Sequence, residues 1–418
     1  MPPRPGGLLS FFAVILCLAF TLTVDSSAQQ PETFPIARTP GEELTVFLMT
    51  VGPGDAIWEK FGHNAIWIMD RSRGTDVAYN YGLFAFGEGF YARLVRGNML
   101  YSMAGFDGLA SVQEYAASNR TVWVQELNLT PAQRSALQNY LEENALPENR
   151  DYAYDYFDDN CSTRVRDALD AALGGQLRVQ LEAVQTESTY RSQGMRLLFE
   201  APAGAAGLLL SFGPSTDQPL SAWEESFIPM RLRAWVGSAT VTREDGSVEP
   251  LVLSERTLFD ADRPAAPEAP PNFLPFFLAF GVIIGSAIAV LGRAAVSGGI
   301  AARFGFAVVA LVWTTVSGIF GTIITALWLF TNHTWTYWNE NVLQANPLLL
   351  ILAPLVVLAV FGRAKRITAG IATAAATFAM IGLLIQVFPL FDQYNGAIIA
   401  LTAPANCGLA IGCRWLKG

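Results

Sequence analysis

The sequence predicts a two-part protein: an α+β domain outside the cytoplasm, followed by an all-α membrane domain of five helices. Three observations predict it. Hydrophobic residues make up 52% of the 418 residues and charged residues only 15%. The charge is unevenly placed: residues 29–271 hold 19 Lys+Arg and 33 Asp+Glu, whereas residues 272–418 hold 7 and 2. The charge-poor part divides into five apolar windows, each near the length that crosses a hydrocarbon core. This balance excludes a purely soluble enzyme and a disordered chain. An overall charge of −9 with no basic run also excludes nucleic acid as a partner.

Residues 1–28 read as a secretory signal peptide. Arg4 supplies the positive region, Leu8–Leu22 the short apolar core, and Ser26-Ser27-Ala28 the small-residue cleavage site. An uncleaved anchor helix is the alternative. Cys17 lies in the apolar core and is lost on cleavage. Residues 29–262 then form one domain of ordinary size. Strands are expected over Leu44–Thr50, Asn64–Met69, Val77–Tyr81 and Val122–Leu129. Thr130, Pro131 and Gln133 open a helix as N-cap, first helical residue and capping-box partner, and the helix runs to about Asn144. A second helix begins near Cys161, capped by Asp159 or Asn160. Val165, Ala168, Leu169, Ala172 and Leu173 form its apolar stripe, and Gly174 stops it.

Residues 263–272 are a short Pro-rich linker that holds the first domain close to the membrane. The membrane domain occupies 273–418, with spans expected over 273–292, 306–330, 347–362, 369–388 and 397–412. Arg293, Arg303, Arg363, Lys365, Arg366, Arg414 and Lys417 fall on one side of these spans. Glu340 and Asp392 fall on the other. By the positive-inside rule the α+β domain lies outside the cytoplasm and the C-terminus inside it. The signal peptide leads to the same orientation independently.

The first domain holds one cysteine after Cys17, Cys161, and one histidine, His63; Cys407 falls in the fifth window and Cys413 at its edge. A lone cysteine is commonly a small buried hydrophobe. Here its neighbours, Asp158-Asp159-Asn160 and Ser162-Thr163, are polar, which suits a core position poorly. A helix N-terminus stabilises a thiolate, so Cys161 is a candidate nucleophile and His63, opening a strand, its candidate base. One Cys and one His are too few soft ligands for a metal site, and no cofactor is indicated.

A His-bearing strand followed about a hundred residues later by Asn-Cys opening a helix resembles the permuted papain-like enzymes. More specifically, the chain resembles the Lnb-type lipoprotein N-acyltransferase family. Phe61-Gly62-His63-Asn64-Ala65, Tyr79-Asn80-Tyr81-Gly82 and Asp159-Asn160-Cys161-Ser162-Thr163 carry the resemblance. So does the stretch from His333 through Asn339-Glu340-Asn341 to Asn346-Pro347-Leu348. The resemblance implies a membrane-bound acyltransferase. Cys161 would take a fatty acyl chain from phospholipid as a thioester and pass it to the N-terminal amine of a bacterial lipoprotein, at the inner membrane.

Asn80 is the expected orienting group for His63, with Asp70 the weaker choice. Backbone N–H groups at Cys161, with Asn160, are candidates for an oxyanion hole. Tyr81, His333, Asn339 and Asn341 are candidates for substrate binding. Trp335, Tyr337 and Trp338 also fit an interfacial aromatic belt, which would give the His333 loop a plainer role. The rival readings are a cysteine peptidase or amidase acting on cell-wall peptides, and a non-catalytic membrane scaffold.

Overall fold

The run Leu44–Val51 is almost wholly apolar, as expected of a strand buried on both faces. In the structure, a computed structural model describing residues 39–87 and 89–417, it is the middle of a sheet. The expected signal peptide lies outside the described residues. The strands are β1 (Leu44–Val51), β2 (His63–Asp70), β3 (Thr75–Leu83), β4 (Leu100–Asp107), β5 (Val122–Leu127), β6 (Asp151–Ala153), β7 (Thr240–Thr242), β8 (Val248–Pro250) and β9 (Val252–Phe259). Seven of them pair antiparallel in the order β6-β4-β3-β2-β1-β5-β9, and β7–β8 form a separate ribbon.

The helices of this domain are α1 (Phe90–Arg96), α2 (Gly108–Ala117), α3 (Pro131–Asn144), α4 (Cys161–Ala172), α5 (Gln176–Glu182), α6 (Tyr190–Leu197), α7 (Pro202–Ser211), α8 (Ala222–Glu225) and α9 (Pro229–Ser238). Alternation along the strands gives each sheet face its own cover. Leu44, Val46, Leu48, Ile66 and Ile68 pack with Leu137 of α3, Val165 and Leu169 of α4, and Leu232 of α9. Phe47, Met49, Ala65, Trp67 and Val124 pack with Val112 and Tyr115 of α2. His63 shares the α2 face and Asn64 the α4 face.

The expected helix starts hold. Thr130 and Gln133 form the capping box of α3, and Asn160 caps α4 by accepting from the Ser162 and Thr163 amides. Gly174 follows α4 in the left-handed region at φ +65°. Strands β4 and β9 and most of the chain between 176 and 238 were not foreseen.

Beyond an irregular segment over 260–273 come α10 (Leu274–Ser297), α11 (Ile300–Phe330), α12 (Pro347–Val360), α13 (Lys365–Leu384) and α14 (Gly396–Lys417). Among the described residues, five helices are long and apolar enough to cross a membrane. The second starts earlier than the window at 306 and includes Arg303. The third α-helix has only 14 residues, about 21 Å at 1.5 Å each. A 3-10 turn over Glu340–Leu343 lengthens it at the loop end. α10 and α14 meet through glycine: a Cβ on Gly285 would lie 2.3 Å from the Pro404 carbonyl oxygen. Close small-residue contact of this kind is how helices associate without a hydrophobic drive between them.

Several polar joints tie the domains together, two of which bear on the site. At the first, the Asn332 amide donates to the Arg96 carbonyl at the end of α1 (2.8 Å), and Asn332 Nδ2 to Asn98 Oδ1 (2.7 Å). At the second, the last carbonyls of α7 receive side chains from both domains. Arg191 donates to Leu208 O, Leu209 O, Phe212 O and Gly213 O. Asn339 donates to Leu210 O and Ser211 O, and Asn341 to Leu209 O and Leu210 O. Below them Leu208 and Leu209 belong to one apolar cluster with Ala397 and Ile398 of α14 and Phe277 of α10.

Candidate active site

β2 and α4 are joined through buried polar groups. Ser162 Oγ lies 2.8 Å from Asn64 Oδ1 and 2.7 Å from Ser226 O. Asn64 Nδ2 donates to Thr50 Oγ1 at 2.8 Å. These bonds set the start of β2 against the start of α4. The Ser162 amide is held by Asn160 Oδ1 at 2.8 Å, while backbone N–H groups at Asn64 and at Cys161 itself favour the charged form of the Cys161 sulfur. Across from it, Gly82 has φ +86°, and a Cβ there would come within 3.2 Å of Cys161 Cβ. Only glycine accepts both that conformation and that approach.

His63, Asn80 and Cys161 line one cavity of about 620 Å³. His63 Nε2 lies 2.9 Å from Asn80 Oδ1. An amide oxygen only accepts, so this bond puts the proton on Nε2 and leaves Nδ1 with its lone pair as the basic nitrogen. Asn80 is itself held: its Nδ2 donates to Ala78 O at 2.9 Å, and Tyr115 O–H lies 3.4 Å from its Oδ1.

Burial pushes the His63 pKa down to about 4, opposed by the Asn80 bond and assisted by the Arg120 cation. The Cys161 thiol is pushed up by burial, against those N–H groups and Arg120. At neutral pH the resting pair is therefore imidazole and thiol rather than imidazolium and thiolate.

A second cavity of about 260 Å³ meets the same thiol. Trp58, Gly62, Tyr101, Tyr154 and Cys161 border both cavities. The larger cavity carries Glu59, Asp107, Glu114 and Arg120. The smaller has Ile57, Phe157, Leu208, Phe212, Phe227 and Ile228, and no ionisable side chain besides the tyrosines and Cys161.

Several expected site residues have other tasks. Asp70 ends β2 at the far end from His63, seven residues and about 23 Å away along a strand. It accepts from Ser72 N, Ser72 Oγ and Arg73 N, so it caps a turn and does not orient His63. Asn160 spends its oxygen on the α4 cap and its Nδ2 on Tyr156 O and Phe227 O, which leaves no donor for an oxyanion. Tyr81 borders the larger cavity, but its ring is 1% exposed in the core against Tyr152. His333 donates from Nε2 to Leu94 O at 2.8 Å and stacks on Tyr156. Asn339 and Asn341 are buried and hold α7. None of these last three reaches the cavity around His63.

Arg120 was not foreseen. Its Nε donates to Gly52 O at 3.0 Å, its Nη1 lies 3.5 Å from Glu59, and it lies over the Tyr115 ring. Nothing local in the sequence distinguishes it from a surface arginine.

A mixed α/β domain with a thiol and an oriented imidazole in one cavity, joined to five apolar helices, defines a membrane protein with a chemically equipped domain beside the bilayer. The Lnb N-terminal periplasmic domain matches residues 30–193, and the Lnb transmembrane domain matches residues 274–402. The chain is an Lnb-family protein, an inner-membrane protein with a periplasmic N-terminal domain. No curated protein and no solved structure matches it.

Proposed function

We propose that the chain is a thiol-dependent acyltransferase with a permuted papain-like domain, moving a fatty acyl chain from phospholipid to the N-terminal amine of a lipoprotein. The observation that carries this reading is the pairing at Cys161. An imidazole oriented by Asn80 shares its cavity, and an apolar cavity meets the same thiol beside the membrane helices.

His63 Nδ1 takes the thiol proton as Cys161 Sγ attacks the acyl carbonyl of a phospholipid ester. The N–H groups of Asn64 and Cys161 are the donors available to the developing oxyanion. The ester C–O bond breaks, the lysophospholipid oxygen takes the proton from His63, and the acyl chain remains on sulfur. The lipoprotein amine then attacks the thioester, giving its proton to His63 and on to the departing thiolate. The α+β domain faces the periplasm, and Arg363, Lys365, Arg366 and the C-terminus face the cytoplasm.

The test is intact mass of the full chain after incubation with a defined phospholipid, beside Cys161→Ser. An acyl adduct on the wild type that neutral hydroxylamine removes, and a hydroxylamine-resistant or absent adduct on the variant, is the expected result. No adduct with any phospholipid, together with Cys161-dependent cleavage of cell-wall peptides, would replace this reading with the peptidase.

A further inference from the structure

The two cavities at Cys161 differ in chemistry and in what lies behind them. The larger one carries four charged side chains, Glu59, Asp107, Glu114 and Arg120, which favour water or polar substrate, beside apolar ones such as Leu83, Phe84 and Phe106. The smaller one is bounded by aliphatic and aromatic side chains. Its lining includes Leu208 and Phe212, from α7 and the residue after it, with Gly194 of α6 packed against Leu208. A Cβ on Gly194 would lie 2.7 Å from Leu208 Cδ1, so glycine there leaves room for that wall. Leu208 belongs to the apolar cluster that includes Ala397 and Ile398, so the wall is continuous with the ends of the membrane helices. Ile57 and Trp58, also on the cavity's lining, remain about half exposed, at 47% and 54%. An apolar slot therefore borders the thiol, with a half-exposed rim and a wall on a helix that packs against the membrane helices.

We infer that this slot holds the hydrocarbon chain of the acyl group carried on Cys161, and that Leu208 and Phe212 set how long a chain it takes. The inference rests on the acyl-transfer reading above. It goes further by assigning the two sides of the thiol: hydrocarbon to the α7 side, and polar donor head and amine acceptor to the Arg120 side. The arrangement places the scissile carbonyl between them at Sγ. A chain of the wrong length is either left with a void beside it or pressed against Leu208. One methylene too many or too few in such a pocket changes selectivity by about tenfold or more.

The experiment uses the full chain in lipid nanodiscs. The protein is given an equimolar mixture of phospholipids with dodecanoyl, hexadecanoyl and octadecanoyl chains, and the adducts are read by intact mass. Leu208→Phe, which fills the slot, is expected to raise the ratio of dodecanoyl to hexadecanoyl adduct at least about tenfold. Phe212→Ala, which widens it, is expected to move the ratio the other way. Ser111→Phe, on the polar side, is expected to leave the ratio unchanged. If Leu208→Phe and Phe212→Ala leave the ratio where the wild type has it, the slot does not hold the chain.

A second measurement needs no enzymatic turnover. Cys161 is treated with decyl and methyl methanethiosulfonates, which form a mixed disulfide with release of methanesulfinate, and Cys161→Ser marks reaction at the other cysteines. A decyl preference in the wild type that Leu208→Phe abolishes supports the slot; equal loss for both reagents, or no preference, overturns it. Wild type that takes up no acyl group from any phospholipid but keeps the decyl preference would sink the acyltransferase reading while leaving a hydrocarbon site at Cys161.

Discussion

At Cys161 the sequence context and the structural context pull in opposite directions. Backbone N–H groups at the helix start and at Asn64, with Arg120, favour the thiolate, and burial opposes them and wins. His63 is likewise held neutral, its pKa pushed down to about 4 by burial first and by Arg120 as well. The proton thus has to move during the reaction, which makes the imidazole a general base. Removing it as His63→Ala is expected to slow acyl-enzyme formation by about 10²–10⁴-fold, read by the mass assay over time. Asn80→Ala removes one neutral hydrogen bond, worth about 1 kcal/mol. It is expected to cost about fivefold to tenfold in the same assay.

The imidazole must be unprotonated to act, so the rate is expected to rise as pH climbs through about 4 and then level off. Arg120→Met removes a cation that holds this pKa down. The acid limb of its pH–rate profile is therefore expected to move to higher pH. An unmoved limb would mean that Arg120 does not act on His63. His63 and Cys161 stood out as the lone histidine and lone thiol of their domain. Arg120 did not, because its influence comes through space from a different loop, 57 positions along the chain from His63.

Among the elements, those with local signals were legible. β1 has its apolar run, α3 its Thr130–Gln133 box, and α4 its Asn160 cap and apolar stripe. β4 and β9 were not, because Leu100–Asp107 and Val252–Phe259 lack a clean alternation and are made strands by their partners. Nor was α7, whose ten residues are apolar nearly all round. What fixes α7 is remote: Arg191 from one domain and Asn339 and Asn341 from the other. Arg191 is also paired with Asp217 at 2.7 Å, both side chains being nearly inaccessible. Arg191→Met leaves Asp217 and several carbonyls without their donor, and a loss of about 3–5 kcal/mol is expected, read as a lower unfolding midpoint in detergent. The Asn339 and Asn341 side chains looked like lipid ligands in the sequence because buried amides and exposed ones read alike. Their commitment to α7 carbonyls appears only in the fold.

For the molecule as a whole, the membrane helices do more than anchor. α10 and α14 approach so closely at Gly285 that a larger residue has no room against the Pro404 and Ala405 backbone, and a Cβ on Gly408 would likewise meet the Gly285 backbone. Gly285→Leu is expected to separate these helices and lower the unfolding midpoint, while a leucine at Gly370, where no neighbour lies within 4 Å, is expected to leave it near the wild-type value. The total span count was legible from hydropathy, and its edges were not, since Arg303 and Lys365 lie inside helices rather than between them.

The binding of α7 by the loop before α12 also bears on how the protein is made. Leu210 and Asn341, which meet there, are 131 residues apart in the chain. At roughly 5–20 residues per second, Leu210 is synthesised about 7–26 s before its partner exists. Once β9 has also been made, the sheet and its Cys161 helix have all their own residues, yet the wall at Leu208 and Phe212 still lacks half of its fastening. Emergence of the third membrane segment thus follows the arrival of Asn339 and Asn341 at that wall, and α14, whose Ala397 and Ile398 pack with Leu208, completes it. A nascent chain stalled before it would carry the nucleophile with an unfinished pocket.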